Sequence, residues 1–530
     1  MRVLVTGGTG VVGAAAVTAL LARGHEVRLL SRHATDDARQ WPEGVEPRDG
    51  SVAEPDDVRG AAEGCEAVLH CAGVVTETPP EVTFERVNVQ GTRNLVDEAT
   101  RAGVEHFVYV SSLGADIGDS PYHRSKLAAE EVVRSFEGSW VICRPGNVYG
   151  PGDEVVSLML TMVRTLPAVP VVGGGDQAFE PVWVEDLAPA LAMACEQREL
   201  AGRVLEMAGS ERTSQADLYA RLERLTGRSP ARVPLPGKLA TLGARLAGMI
   251  GIDLPVNESQ LKMLEEENVV RHPDGNALVT VFGVTPTSLD EGLRRLADAQ
   301  PEQLPDEGVG ALARKYFWAD ISGASYDAEG LMDHVRHHFQ ELTPWHLDVS
   351  AEPGTPTVPD EGMTLTMQLP LRGNIQVRVE EVTPRRMTFV TLAGHPLAGA
   401  IRFAVQPLEG VDAGKIRFRI DVWDRASNIV DWIGMATFGG RIQDATWVET
   451  VQKVVEASGG KAPAGVEHDI KKLDADELDR ETRRIEELVV ERKREANADA
   501  VRGASADESP KPGVRARKDG DVSRPSESVA

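Results

Sequence analysis

Lysine, cysteine, aromatic rings and long apolar runs are all scarce in this chain. Only 12 of its 57 basic residues are lysine, and aromatics make up 5% of 530 residues. The arginine bias fits salt adaptation and genomic base composition equally well. The four cysteines, Cys65, Cys71, Cys143 and Cys195, form no CxxC pair and all precede residue 200. They exclude a disulfide framework and a cysteine zinc site, and they read as buried thiols in a reducing cytosol. Excess positive charge is also missing. A net charge of −25 excludes non-specific nucleic-acid binding. The most apolar helical stretch, Leu239 to Ile252, is short and carries Arg245, so no integral membrane segment is read. No signal peptide is read ahead of the first strand, and the expected location is cytoplasmic.

What is present is apolar enough, at 42% hydrophobic residues, to build real cores in two or three domains. The chain opens on MRVLVTGGTGVVG. Arg2 to Val5 is a short β-branched run of buried-strand type. AAAVTALLARG follows as a helix that stops at Gly24. Gly7, Gly10 and Gly13 therefore sit at a strand-to-helix turn. Gly7 permits the tight turn, Gly10 admits a pyrophosphate to the backbone, and Gly13 lets helix and strand approach. Thr9, Val11 and Val12 complete this loop and the helix mouth, where free N–H groups suit phosphate. Together these residues predict dinucleotide binding.

HEVRLLSR reads as the second strand. The place where an acidic residue would take a ribose hydroxyl holds Ser31, followed by Arg32. A guanidinium there suits a 2′-phosphate, favouring NADP(H) and leaving NAD(H) open. Asp49 and Gly50, after a third strand, offer an acceptor to an adenine amino group. Ala67 to Gly73 is a fourth strand whose end, Cys71, Ala72 and Gly73, lies against cofactor. Asn88 leads into a helix, and HFVYVSS is a fifth strand ending in two hydroxyls. Strands alternating with helices call for a parallel sheet covered on both faces, a Rossmann-type doubly wound α/β fold. Tyr122 and Lys126 stand four apart in PYHRSK, on one helix face. The ammonium is expected to lower the phenol pKa, and Ser112 to hold a substrate oxygen in line with the phenol.

TGGTGVVG, the Ser-Ser strand end, YHRSK and RPGNVYGPGD resemble the extended and atypical short-chain dehydrogenase/reductase superfamily. They are closest to the epimerase/dehydratase-like group related to a respiratory complex I accessory subunit. The resemblance runs from Met1 to about Ala297. It implies Ser112, Tyr122 and Lys126 as the catalytic set, with Ser111 the weaker choice, and Lys126 also on the cofactor. It implies Asn88 in a proton relay, and Pro145, Gly146, Asn147 and Val148 against the nicotinamide. The glycine spacing, Gly-x-x-Gly-x-x-Gly, is that family's form. From Pro151 a small substrate lobe is expected, with a helix from Val155 to Leu166. PVVGGGD and FEPVWVEDLAPAL are read as segments returning to the main sheet. Asp186, beside Glu185, is read as fixing the lobe. Leu278 to Leu296 is read as a last strand and helix, with a capping pattern at Thr287 to Glu291.

The expected boundaries are a dinucleotide-binding domain with its lobe over 1–299, a linker over 300–310 and a second domain over 311–460. A charged helix over 461–497 and a disordered tail over 498–530 follow. Five of the eight tryptophans lie beyond the linker. A strand from Ala313 to Ile321, a helix from Ala328 to Leu342, five alternating runs and a long helix from Asn428 to Ala457 predict an antiparallel α+β domain. This order resembles the helix-grip (START-like) superfamily, which implies an apolar ligand between sheet and last helix; a packed core is the other reading. His334, His337 and His338 lack companion ligands and read as a helix face, so no metal is expected. The charged helix carries a sparse apolar stripe of Leu473, Leu478, Ile485, Leu488 and Val489, suited to a partner or to the protein itself.

The preferred reading is an NADPH-dependent oxidoreductase that reduces a carbonyl or enone of a small apolar substrate, with Tyr122 as proton donor. An NAD-dependent sugar-nucleotide epimerase or dehydratase, and a non-catalytic NADP(H)-binding sensor or assembly protein, are the alternatives. A homo-oligomer is left open.

Overall fold

The computed structural model describes residues 1–235, 267–272, 275–344, 349, 351–369, 372–428, 431 and 440–507. The stretch from Leu239 to Ile252, much of the segment 429–439 and the tail beyond 507 lie outside the described residues.

The strands of the first unit are β1 (Arg2–Thr6), β2 (Glu26–Ser31), β3 (Val45–Asp49), β4 (Ala67–His70), β5 (His106–Val110) and β6 (Ser139–Pro145), then β7 (Val148–Tyr149), β8 (Ala168–Val172), β9 (Val182–Trp183), β10 (Arg203–Met207) and β11 (Ala231–Leu235). Its longer helices are α1 (Val11–Ala22), α2 (Gly91–Ala102), α3 (Pro121–Arg134), α4 (Val156–Thr165), α5 (Val184–Glu196), α6 (Gln215–Thr226) and α7 (Leu289–Asp298). Seven strands form one sheet in the order β3-β2-β1-β4-β5-β6-β10, every pair parallel. This is the expected Rossmann-type sheet, with its order reversing between β1 and β4. Alternate side chains feed opposite cores. Val3, Val5 and Val108 pack with Ala16, Leu20 and Leu191 on one face. Leu4, Phe107 and Tyr109 pack with Leu95, Ala129 and Val133 on the other. Continuous apolar strands are what two covered faces require.

The return to this sheet differs from expectation. PVVGGGD and FEPVWVED supply β8 and β9, which pair with β11 and β7 in separate two-stranded sheets. Gly173, Gly174 and Gly175, all at positive φ, turn the chain away after β8. The edge of the main sheet is instead β10, whose RVLEM is short and charged at two of five positions. Leu278 does not begin a strand. Ala277–Thr280 is a helical turn capped by Asn276, whose side chain accepts from Leu278 N at 3.1 Å and also bonds the backbone of Ala208. That cap overrides the strand preference of Leu-Val-Thr-Val. The capping pattern before α7 forms, with Ser288 accepting from Glu291 N. Asp186 accepts from Thr287 N at 2.7 Å and from its hydroxyl at 2.8 Å, tying α5 to that loop.

The second unit contains β12 (Val309–Ser322), α8 (Ala328–His337), β13 (Thr364–Leu369), β14 (Gly373–Thr383), β15 (Arg386–Thr391), β16 (Leu397–Pro407), β17 (Lys415–Ala426), α9 (Gly440–Ala457), β18 (Glu467–Lys472) and α10 (Ala475–Asp507). Its sheet, in the order β13-β14-β15-β16-β17-β12-β18, is antiparallel throughout. Phe317, Phe389, Phe403 and Phe418 pack beneath Leu331, Phe339 and Val451 on one face. Phe389, Phe403 and Phe339 contact one another at centroid distances of 5.4 to 5.5 Å. β18 was not expected. It is an exposed, charged edge strand held by backbone pairing, and such an edge carries no apolar pattern.

α10 also corrects the reading of the tail, because helix continues through residues 498–507. Its Ile485 and Val489 bury against Val390, Ala400 and Trp423 on the sheet face opposite α8 and α9. Further along, Arg494 Nε and Asn497 Nδ2 donate to the carbonyls of Arg39 and Gln40, both at 2.8 Å. The helix therefore packs on the protein itself and reaches both units. The units also meet through Arg164 at the end of α4. It forms a bidentate pair with Glu352 at 2.8 and 2.7 Å and donates to Gln376 at 2.6 Å.

Candidate active site

The C-terminal ends of β1, β4 and β5 converge at the reversal in strand order, where open parallel sheets bind ligands. Gly7 has φ +68°, and a Cβ there would stand 2.6 Å from the Ala72 nitrogen. A Cβ on Gly13 would stand 2.1 Å from the Gly7 carbonyl oxygen. Both positions exclude side chains. Gly10 differs: it caps α1 without any side-chain hydrogen bond, and the nearest atom to its hypothetical Cβ is Gly7 O at 3.5 Å. Gly10 and Thr9 are exposed, with Val11 and Val12 half-buried behind them. This leaves the helix mouth open to an anion.

At the end of β2 the Ser31 hydroxyl is buried without a partner among the described residues. The exposed Arg32 guanidinium makes no hydrogen bond or ion pair among the described residues. Asp49 lies alongside Ser31 in register, but its two oxygens accept from Thr35 N at 2.8 Å and from the Thr35 hydroxyl at 2.7 Å. Those bonds hold its pKa below the ordinary value. Gly50 N closes the same corner on Ser31 O at 2.9 Å.

α3 starts where Ser120 accepts from His123 N at 3.1 Å and Pro121 occupies the first turn, a strong start signal. Its buried face carries Tyr122, Lys126 and Glu130 at successive four-residue steps. Each meets one residue leaving β5. Tyr122 is hydrogen-bonded to Ser112, Lys126 Nζ donates to Val110 O at 2.9 Å, and Glu130 accepts from the Ser111 hydroxyl at 2.7 Å. Extended backbone sends successive side chains to opposite sides, so Ser112, and not Ser111, faces the phenol.

Burial pushes the Tyr122 phenol up to about 12, with Glu154 adding to the rise and the Ser112 bond opposing it. The expected lowering by the ammonium is therefore not what this structure holds. Burial wins, and Lys126 is engaged with Val110. Burial likewise pulls the Lys126 ammonium down to about 8 and pushes the Cys71 thiol up to about 12.

Gly73 faces this group: a Cβ there would stand 3.1 Å from Lys126 Nζ and 3.2 Å from Asn88 Oδ1. Asn88 sits in a π-helical turn, Glu85–Gln90. It accepts from Val74 N at 2.8 Å and donates to Val74 O at 3.1 Å and to Ser125 Oγ at 2.9 Å. Ser125 in turn donates to Tyr122 O at 2.7 Å. Asn88 thus fastens the loop after β4 to α3. On the far wall, Pro145 accepts from Leu113 N at 2.9 Å and Gly146 donates to Met207 O at 2.8 Å. The Asn147 side-chain oxygen, just before Val148, is buried without a partner among the described residues.

Sequence reasoning missed Ser125, Glu130, Arg144 and Phe84, whose ring stands edge-on to Tyr122 at 6.1 Å. Glu130 was readable as the next step of the Tyr122–Lys126 stripe. Phe84 comes from a loop and carries no pattern. Away from this site, the His334 and His338 rings stand 4.4 Å apart, and no group of three or more metal-ligating side chains occurs among the described residues. No helix among them is long and apolar enough to cross a membrane.

A family model described as NAD dependent epimerase/dehydratase family matches residues 3–208. Sterol demethylase protein B of Methylococcus capsulatus is 31% identical over 264 residues, covering 45% of this chain and 79% of the relative. Ceramide reductase of Caulobacter vibrioides is 32% identical over 245 residues, covering 46% and 76%. The chain belongs to the NAD-dependent epimerase/dehydratase family. It is an NAD(P)-dependent oxidoreductase. The 3-beta-hydroxysteroid dehydrogenase of Mycolicibacterium neoaurum is 36% identical over 188 residues, and the chain spans 50% of its length. Among solved structures, the UDP-glucose 4-epimerase of Thermus thermophilus in complex with NAD is 26% identical with a TM-score of 0.43, covering 56% of this chain and 98% of that one.

The residues present fit a nicotinamide dinucleotide. The α1 mouth is open at Gly10, and two buried polar atoms, Ser31 Oγ and Asn147 Oδ1, have no partner among the described residues.

Proposed function

We propose that this family member is an NADPH-dependent reductase of a carbonyl or enone on an apolar substrate. The observation that carries the reading is the Ser112–Tyr122 hydrogen bond at the end of β5, with Lys126 one helical turn away. Bound nicotinamide supplies the hydride. Ser112 and Tyr122 hold the substrate oxygen, and Tyr122 gives it a proton. A phenol pushed up to about 12 stays protonated at neutral pH and is still far more acidic than an alkoxide's conjugate alcohol, so the transfer runs downhill. Lys126, charged at neutral pH, holds the nicotinamide ribose, and the backbone of Thr9 to Gly13 holds the pyrophosphate. Asn147, whose side-chain oxygen has no partner among the described residues, would hold the nicotinamide end of the cofactor. Arg32, without an acidic neighbour at Ser31, takes the 2′-phosphate.

Relatives named for ceramide, sterol, hydroxysteroid and 2-alkyl-3-oxoalkanoate support a substrate that is mostly hydrocarbon. We read the second unit as a helix-grip module, on its antiparallel sheet and the α9 helix across it, within boundaries of 311–460. The test of the whole reading is NADPH oxidation with a panel of apolar ketones, aldehydes and enones. Tyr122→Phe is expected to abolish turnover while cofactor still binds. Retained turnover in that variant overturns the assignment.

A further inference from the structure

Ser111, the first of the two serines at the strand end, has no place in the mechanism above, yet its hydroxyl is buried and tied down. Ser111 donates to Glu130 Oε1 at 2.7 Å. Glu130 is fully buried, and its carboxylate is itself immobilised. Arg144 of β6 grips it with Nε at 2.7 Å and Nη2 at 2.8 Å, and Arg134 adds a contact at 3.0 Å. Arg144 extends to Asp116 at 2.5 Å, in the loop between Ser112 and α3. On the backbone side, Ser111 N donates to Cys143 O at 2.7 Å and Leu113 N to Pro145 O at 2.9 Å. Residues 111–113 are therefore clamped on both flanks, and one flank depends on a single hydroxyl.

We infer that Ser111 is a positioning residue: its bond to Glu130 sets the rotation of the chain leaving β5, so that Ser112 points at the Tyr122 phenol. This rests on the reading of Tyr122 as proton donor. The geometry dictates the division of labour. Two consecutive extended residues face opposite ways, and one helix presents Tyr122 to one of them and Glu130 to the other two turns later. Loss of the Ser111 hydroxyl leaves the Glu130–Arg144 pair intact but frees the strand exit to turn.

The test places a ring-difluorinated tyrosine at position 122, whose phenol is more acidic than that of tyrosine, and follows its titration by fluorine NMR. The phenol also faces Glu154, ahead of α4, and the His123 ring at 5.3 Å; the substitutions leave both in place. Ser112→Ala is expected to raise the apparent pKa by about one unit, the effect of one lost hydrogen bond to a phenolate. Ser111→Ala should raise it equally, although residue 111 does not touch the ring. Ser111→Thr should restore the original value. Ser111→Cys, which keeps the volume but donates weakly, should match Ser111→Ala if the latter fails to fold. A normal titration in Ser111→Ala or Ser111→Cys, beside a shifted one in Ser112→Ala, overturns the inference; so does an unshifted Ser112→Ala. The readout needs no substrate, so it fails or succeeds separately from turnover in Tyr122→Phe.

Discussion

Lys126 donates its ammonium to the carbonyl of Val110 at 2.9 Å and so fastens α3 to the last residue of β5. The same ammonium lies 5.0 Å from the centre of the Tyr109 ring and lines the floor beneath Gly73. Burial lowers its pKa to about 8, against the opposing pull of Cys71 and Glu130. The charge is therefore present at neutral pH and is lost as pH rises through about 8. NADPH affinity should fall across that interval, measured by nicotinamide fluorescence from about pH 6 to about pH 9. Lys126→Met should weaken binding at neutral pH by roughly ten- to a hundredfold, the worth of one charged hydrogen bond, and should flatten the profile. A profile with no step near 8 in the wild-type protein removes Lys126 from the cofactor site.

Asn88 spends three hydrogen bonds on Val74 and Ser125 from a position with 1% exposure. Asn88→Ala leaves the half-buried backbone N–H and carbonyl of Val74 without their side-chain partner, at about 1 kcal/mol for each lost bond. The expected result is a lower unfolding midpoint together with reduced turnover, since the clamp holds both the loop after β4 and the start of α3. Asn88→Asp keeps the acceptor to Val74 N but loses the donors, and should lie between the two. An alanine variant of unchanged stability and rate would show that the clamp holds nothing in place.

Arg32 is exposed at the end of β2 beside a Ser31 hydroxyl that has no partner among the described residues. Its removal should cost NADPH affinity and spare NADH affinity. Arg32→Ala is expected to raise the NADPH Kd about tenfold, or about 1.4 kcal/mol, with the NADH Kd unchanged. Arg32→Glu should go further, adding repulsion against the 2′-phosphate. Equal losses for both cofactors in titrations run side by side would mean that Arg32 does not discriminate between them.

The features legible in the sequence were those with short-range spacing. Gly7, Gly10 and Gly13 sit within seven residues, and Tyr122 and Lys126 within one helical turn. Lys126 is, besides, the only lysine in the first 237 residues. What stayed hidden depends on partners distant along the chain. Ser111 finds Glu130 and Arg144 only once β5, α3 and β6 are adjacent. The phenol pKa turns on burial, which spacing does not report. β18 pairs through its backbone, so its EHDIKK looked like solvent-facing helix. The helix over 498–507 is held by contacts near α1, at the opposite end of the chain, and its composition alone reads as tail.

The contact between α10 and the rest of the chain has an electrostatic centre at Glu302. Its side chain is 2% exposed and meets Arg378 at 2.9 Å, Arg492 at 2.5 Å and Lys493 at 2.7 Å. Burial alone raises its pKa, but Lys493, Arg378 and Arg492 together outweigh burial and bring it from 4.5 down to about 2. A carboxylate depressed in the folded state stabilises the fold above its ordinary pKa, and that stabilisation is lost as pH falls toward the depressed value. The window here runs from about 4.5 down to about 2. Glu302→Gln leaves three cations facing a neutral amide and should destabilise the protein at neutral pH by about 3–5 kcal/mol, the cost of breaking a buried pair. Unfolding midpoints of wild type and variant should therefore differ widely at neutral pH and converge as the pH is lowered through that window. A difference that stays constant with pH would mean that Glu302 contributes by shape and hydrogen bonding, and that its charge is not what seats α10.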